Sequence, residues 1–542
     1  MADTAHVDTY ARDHLPPPQA WPHFVQDLPA LQFPRQLNCA VELLDRHVSE
    51  GRGDRICLRA PGAPDWTYAE LQGQVDRIAR VLVERLGLVP GNRVLLRAPN
   101  QPMLVACWFA VVKAGGIAVA TMPLLRAKEL VQVIDKAQIG LALCLPALMD
   151  ELEAAARGAR VAPRCIGFDT LRAWMAESPA GFEAVRTAAD DVVLFAFTSG
   201  TTGQPKATMH LHRDVMAACL CFPPHVLRAL PDDVFIGSPP LAFTFGLGGL
   251  TLFPMHIGAS TVLIERPAPG ALVDAIADYG ATVLFTAPTS YRAMAAAARE
   301  RRISAPQGGT LRKCVSAGEA LPAATRTLWR DATGIELIDG IGATEMLHIF
   351  IAADEAHARP GATGQVVPGY RACVMDEAGR PVPAGKVGRL AVQGPTGCRY
   401  LDDPRQAEYV KDGWNYTGDA YRMDADGYFH YQARTDDMIV SAGYNIAAPE
   451  VEEAVLAHPA VADCAVIGID DEQRGQIVKA FVVLRTAPGD DALATAIQDF
   501  VKARIAPYKY PRAVVFVTEL PRTATGKLQR FRLRETPASA AG

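Results

Sequence analysis

The run DVVLFAFTSGTTGQPKATMHLH, residues 191–212, decides the fold. Its opening residues are a β run, and KATMHLH alternates well enough to predict a second strand, with helical RDVMAACL starting only afterwards. The reading is a strand-loop-strand hairpin. Pro205 supports it, because proline pushes Gln204 out of the α region and offers no backbone N–H. The turn holds Thr198, Ser199, Gly200, Thr201, Thr202, Gly203 and Lys206, a set of hydroxyls, amides and one ammonium suited to wrapping phosphate. It is not the Walker pattern, in which glycine precedes the lysine and a hydroxyl residue follows it, since Pro205 and Ala207 flank Lys206. A hairpin also aims no helix dipole at the anion. On composition alone, a polar surface turn is the commoner use of such residues.

At 542 residues the chain exceeds what one core fills, so two or more domains are expected. With 49% hydrophobic and 21% charged residues it has the composition of an ordinary globular protein. Its net charge of −5 argues against a nucleic-acid or anionic-membrane partner. The eleven cysteines are scattered without metal or redox spacing, which favours reduced thiols in the cytoplasm. The N-terminus carries acids and prolines where a signal peptide needs a basic start and an apolar core. Residues 104–125, LVACWFAVVKAGGIAVATMPLL, are apolar enough to suggest a membrane span, but Lys113, Gly115 and Gly116 interrupt them. A helix ended by glycines and followed by a buried strand is the expectation.

Helical patterns alternate with short β-branched runs such as RVLLRA, STVLIE and ATVLFTA. That alternation predicts an α/β large domain with parallel-type sheets flanked by helices. From about residue 360 the chain turns to Gly- and Pro-punctuated strands, an antiparallel, β-barrel-like section. After residue 435 an α+β pattern follows, so the expected domains are 1–435 and a small C-terminal one, 436–542.

TSGTTGQPK resembles the signature loop of the adenylate-forming superfamily of acyl-CoA synthetases, luciferase-like enzymes and nonribosomal adenylation domains. GIGATE (340–345), YTGD (416–419), ARTDDMIVSAGYNI (433–446) and PRTATGK (521–527) resemble its later motifs in order, so the likeness covers nearly the whole chain. Ala207 departs from the family's usual glycine. The resemblance implies that a carboxylate attacks the α-phosphate of ATP, and that coenzyme A then cleaves the acyl-adenylate. Lys527 would bridge the acyl carboxylate and the α-phosphate, Thr344 would bond near that phosphate, and Glu345 would hold Mg2+. Asp419 and Arg434 would take the ribose, with Tyr431, Gly318, Glu319, Asp339 and Gly340 in the nucleotide site. Asp436 maps to the hinge on which a mobile small domain turns, and Gly443 and Tyr444 to the CoA-binding state.

The acid pocket is expected from PPLAFTFGLGG, SAGEAL and GIGATEMLHIF. Phe243, Phe245, Gly246 and Gly342 suggest a flat apolar slot, and no lysine or arginine there awaits a second carboxylate. ATEMLHIF is similar to the matching stretch of benzoate-type CoA ligases, which makes His348 the residue closing the aryl pocket, with Ala317, Gly318 and Ile349 lining it. Thr244 and Phe245 stand where benzoate CoA ligases tend to carry alanine and tyrosine, and the stretches TAHVDTYARDHLPPPQAWP and TMHLHRD look closer to 2-aminobenzoate CoA ligases. Benzoate or hydroxybenzoate ligases and carrier-loading adenylating enzymes are the alternatives, and a monomer or homodimer is expected.

Overall fold

The computed structural model describes residues 4–198, 205–434, 437–441, 444–471, 474–486, 488–522 and 528–534. Strand Val192–Thr198 pairs antiparallel with Lys206–Leu211, placing Thr198 opposite Lys206, and helix His212–Phe222 follows. The hairpin expected from residues 191–212 is formed. Ala207 lies inside its second strand, fully buried in a cluster with Phe195, Met209 and Leu401. Its methyl group is therefore a core contact.

The chain falls into two compact units, Met1–Ala372 with Val392–Asn415, and Cys373–Ala391 with Tyr416–Gly542. The antiparallel section, assigned by sequence texture to the large domain, clusters in part with the C-terminal residues.

Two sheets organise the first unit among the described residues. One has six strands in the order Arg164–Gly167, Leu141–Cys144, Arg93–Arg97, Ile117–Thr121, Val192–Thr198 and Lys206–Leu211, parallel up to the closing hairpin. In the other, Leu337–Gly342, Lys313–Ser316, Val283–Thr286, Val234–Gly237, Ser260–Val262 and Ile56–Arg59 run parallel as neighbours. Antiparallel strands at both ends extend it to nine. The right-handed crossover rule for parallel neighbours sends the intervening helices to the faces of the sheets, where they bury apolar stripes.

In the second unit, Val461–Asp471 and Gly475–Leu484 form a long antiparallel pair joined in parallel by Ala513–Phe516. Helices Ala448–Leu456 and Asp491–Lys502 bury Val451, Val455, Ile497 and Val501 in the cluster formed with this sheet. The Asp490 side chain caps the second helix by accepting from Leu493 N at 2.8 Å.

Helix Pro102–Lys113 is buried along its whole length, as a helix apolar on every side must be, and the strand Ile117–Thr121 follows it. Gly115, at φ +74°, supplies the left-handed turn between them. No helix among the described residues is long and apolar enough to cross a membrane. The charge in the middle of this apolar stretch is accommodated by partners from elsewhere. Lys113 Nζ meets Asp45 Oδ2 at 2.8 Å and also donates to Asp76.

Removing Lys113 would leave two carboxylates facing each other in the interior. Lys113→Ala is therefore expected to lower unfolding free energy by about 3–5 kcal/mol, read from urea titrations. A loss below about 1 kcal/mol would show that the cluster is not held by the ammonium.

Candidate active site

The phosphate-loop hairpin is tied to a distant segment by backbone pairing. Met209 N donates to Arg399 O at 2.8 Å and Leu401 N donates to Ala207 O at 2.9 Å, with Thr208 bridged to Tyr400. Successive side chains on an extended segment point to opposite faces, so Arg399 and Tyr400 serve different partners.

Tyr400, 1% exposed, lies beside Lys206 and Glu345. Lys206 Nζ donates to Tyr400 Oη at 2.8 Å, and Oη donates to Glu345 Oε1. Lys206 Nζ also stands 3.5 Å from Oε1 and 4.8 Å from the centre of the Tyr400 ring, a cation–π distance. Burial first, then the Glu345 charge, push the Tyr400 hydroxyl far above the ordinary range, so it keeps the proton it donates. Both contacts to Glu345 fall on Oε1, so Oε2 is the oxygen available to a cation.

Arg399 faces the other way. Its guanidinium donates to Asp214 Oδ2 at 2.7 Å, with both side chains fully buried, and it lies 4.4 Å from the centre of the Phe24 ring. Burial alone would raise the Asp214 carboxyl, but Arg399 and then His210 outweigh it and hold it below the usual carboxylate range. His210 Nε2 lies 2.8 Å from Thr344 O. A carbonyl only accepts, so Nε2 is the donor in this bond. The strand after the phosphate loop thus fixes the turn that carries Thr344 and Glu345.

That turn is strained. Thr344–Met346 form one short 3₁₀ turn and Leu347 follows at φ +68°, a conformation that side-chain-bearing residues rarely adopt. The reversal sends Glu345 to Tyr400 and His348 into an aromatic cage. His348 lies between the rings of Phe253 at 4.5 Å, Phe245 at 5.6 Å, Phe222 at 5.8 Å and Phe285 at 6.3 Å, centre to centre. Burial drives its pKa down to about 3, against a smaller upward pull from the Phe245 backbone, so the imidazole is neutral. Gly248 and Gly342 are where the cage admits no more atoms: a Cβ on Gly248 would lie 2.4 Å from the His348 ring, and one on Gly342 2.8 Å from the His348 backbone.

Thr244 is buried at the start of the short helix Thr244–Leu247, which carries Phe245 and Gly246, while Phe243 is half-buried just before it. Asn100 fixes the approach to this helix, donating to Pro239 O at 2.9 Å and accepting from Leu241 N at 2.9 Å. Ala317 and Gly318 follow strand Lys313–Ser316, and Asp339, Gly340 and Gly342 belong to the neighbouring strand Leu337–Gly342. Ile349 packs on Gly340, and Glu319 is half-buried. The structure therefore gathers the expected pocket segments in the first unit. Sequence reasoning missed Phe222, Phe253, Phe285, Tyr400, His210 and Arg399.

In the second unit, Asp419 and Arg434 are cross-strand partners, with Arg434 Nη1 3.2 Å from Asp419 Oδ1 and 2.9 Å from Thr417 O. Gly418 makes room, because a Cβ there would lie 2.6 Å from the guanidinium. Tyr431 is on the same strand as Arg434, its ring 5.5 Å from that of Tyr421. Tyr444 lies in strand Tyr444–Ala447. Pro521 O accepts from Gln529 N at 2.8 Å, joining the ends of the segment that contains Lys527. Ser199, Gly200, Thr201, Thr202, Gly203, Asp436, Gly443 and Lys527 lie outside the described residues.

No cluster of three or more His, Cys, Asp or Glu side chains able to cage a metal exists among the described residues. Magnesium keeps water and phosphate oxygens and needs few protein carboxylates, so the single buried Glu345 with Oε2 available fits it.

Comparison with known proteins shows the family. Residues 44–399 match the family described as AMP-binding enzyme, and residues 450–527 its C-terminal domain. The chain is 35% identical to a benzoate CoA ligase of Thauera aromatica, over 93% of this chain and 97% of that one. It is 33% identical to a 4-hydroxybenzoate/benzoate CoA ligase of Rhodopseudomonas palustris, over 92% and 94%. Among solved structures, the anthranilate CoA ligase AuaEII with anthranoyl-AMP superposes with a TM-score of 0.86 at 32% identity, covering 94% of this chain and 98% of that one.

Asp339 gives the site a pH signature. Burial pushes its carboxyl up to about 7, while Arg326, the Gly340 amide and Ser316 pull it down. Between about 4 and about 7 the folded chain keeps a proton that the unfolded chain has released, so stability falls as pH rises through that window. The melting temperature of Asp339→Asn relative to wild type should therefore rise from pH 4 to pH 7. A difference that does not move with pH would contradict it.

Proposed function

The chain belongs to the AMP-binding enzyme family, and from that premise we propose that it is an ATP-dependent aryl-CoA ligase whose acid is 2-aminobenzoate. The observation that carries the aryl part is His348 set inside a cage of four phenylalanine rings. Flat rings pack edge and face against such walls, and a long flexible chain gains less there. The 2-aminobenzoate part rests on Thr244, a buried hydroxyl at the pocket helix, and on the likeness to the anthranilate enzyme.

ATP, Mg2+ and coenzyme A are the co-reactants of this enzyme class. In the first half-reaction a carboxylate oxygen of the acid attacks the α-phosphorus, the bond to the β-phosphate breaks and pyrophosphate leaves with its electron pair. Lys206 and the hydroxyls and amides of residues 198–203 hold the β- and γ-phosphates. Magnesium, when bound at Glu345, supplies positive charge against them. Thr344 hydrogen-bonds near the α-phosphate, held by His210 through its carbonyl. Asp419 and Arg434 take the ribose, with Tyr431 beside them. Lys527 spans the acyl carboxylate and the α-phosphate, where negative charge gathers in the transition state.

In the second half-reaction the thiol of coenzyme A loses its proton, its sulfur attacks the acyl carbon, and AMP leaves. Lys527 and the thiol are needed at different moments. The proposal has the small domain, 436–542, turn about Asp436 between them, with Gly443 letting the backbone pass close to the pantetheine arm. All eleven cysteines are unpaired, which suits a cytoplasmic enzyme.

Two measurements test this reading. Thr244→Ala should reduce the preference for 2-aminobenzoate over benzoate, as the ratio of kcat/KM values, by about tenfold, the worth of one buried hydrogen bond. An unchanged ratio removes Thr244 from the account. Lys527→Ala should lose adenylation while still forming thioester from preformed acyl-adenylate, and equal failure of both halves in a folded variant refutes that role.

A further inference from the structure

Tyr400 belongs to none of the motifs that point to the chemistry, yet it bridges two residues assigned to it. Its backbone is fixed twice, by the bridge to Thr208 and by Gln406 Oε1, which accepts from Tyr400 N at 2.9 Å. Gln406 is itself buried and donates to Cys398 O at 3.1 Å and Ala20 O at 2.8 Å. The ring itself is buried.

A phenol oxygen has one proton to give and lone pairs to receive. Here the proton goes to Glu345 Oε1 and a lone pair accepts from Lys206 Nζ. The lysine and the glutamate are thereby kept 3.5 Å apart, and the ammonium is held over the Tyr400 ring. Lys206 Nζ and Glu345 Oε1 are already an ion pair at 3.5 Å, and without the hydroxyl that bonds to both, the ammonium would close further, to direct hydrogen-bonding distance. Such a pair is strong where solvent is excluded. It would neutralise the carboxylate that a divalent cation needs.

We propose that Tyr400 is a positioning residue of the adenylation site, whose hydroxyl separates Lys206 from Glu345 and keeps the carboxylate ready for the cation that accompanies ATP. The inference rests on the reading of Glu345 as the cation-binding carboxylate. Tyr400 touches neither nucleotide nor acid in this account; it acts through the two side chains it holds. Its removal should therefore tell between nucleotide with and without magnesium, which a loss of packing would not.

The test is titration calorimetry of the full-length protein with α,β-methylene-ATP, with Mg2+ or with EDTA, on wild type, Tyr400→Phe, Glu345→Gln and the double variant. Tyr400→Phe keeps the ring and should bind the magnesium complex about tenfold more weakly, the worth of one hydrogen bond to a charged group. Binding of the metal-free analogue should be unchanged. The double variant should bind the magnesium complex no worse than Glu345→Gln alone. Equal weakening with and without metal, or no weakening, would overturn the proposal, as would full additivity in the double variant. If Glu345→Gln itself binds the magnesium complex like wild type, the cation reading of Glu345 falls and the proposal falls with it. Melting curves on the same samples establish folding. Should Tyr400→Phe not fold, Gln406→Met is the second probe, since it loosens the Tyr400 backbone and spares the hydroxyl. The same magnesium-selective loss is expected, and its absence would equally overturn the proposal.

Discussion

A buried carboxylate is stable only beside donors or cations, and Glu345 is 7% exposed. Much of the first unit is arranged around that constraint. The hairpin after the phosphate loop brings Lys206 to the carboxylate, and its pairing with residues 399–401 brings Tyr400 between them. The same pairing turns Arg399 toward Asp214. Through His210 the hairpin also holds the carbonyl of Thr344, one residue before Glu345. One strand therefore sets the positions of the lysine, the threonine and the carboxylate together, before any substrate is bound. Preorganised charge of this kind is the largest contribution that most active sites make to rate.

The surroundings of His348 obey the opposite rule. Around His348 the walls are rings, and burial removes the charge that the histidine would otherwise carry. A neutral imidazole does not draw a second carboxylate toward these walls. The strained turn at Leu347 separates these two environments, the ionic one at Glu345 and the apolar one at His348, by only three residues. Strain of that kind persists only where packing on both sides dictates it, and Leu347 is itself buried.

What the sequence disclosed depended on how local the cause was. The hairpin was legible because Pro205 and the alternation of KATMHLH are properties of adjacent residues. The glycine-ended helix before Ile117 was legible for the same reason. The partners of Lys113 were not, because Asp45 and Asp76 lie far back in the chain and carry no pattern of their own. Phe285 falls in the β run ATVLFTA, and in a parallel sheet buried on both faces a wall of aromatic rings has the same composition as core. Tyr400 escaped notice because its role comes from a single backbone bridge to Thr208, a contact across 192 residues that no local spacing encodes. Thr344, Glu345 and His348, singled out through resemblance, are placed by the structure around one turn; Lys527 and residues 199–203 lie beyond what it describes.

The central claim is that one chain couples an aromatic acid to coenzyme A through an adenylate. It is tested most directly by incubating the purified protein with 2-aminobenzoate, ATP, Mg2+ and coenzyme A and quantifying every product by mass spectrometry. Coupling through an adenylate yields 2-aminobenzoyl-CoA and AMP in equal amounts, with acyl-adenylate accumulating when coenzyme A is left out. Formation of ADP in place of AMP, or AMP release without any thioester from 2-aminobenzoate, benzoate or a hydroxybenzoate, would contradict it.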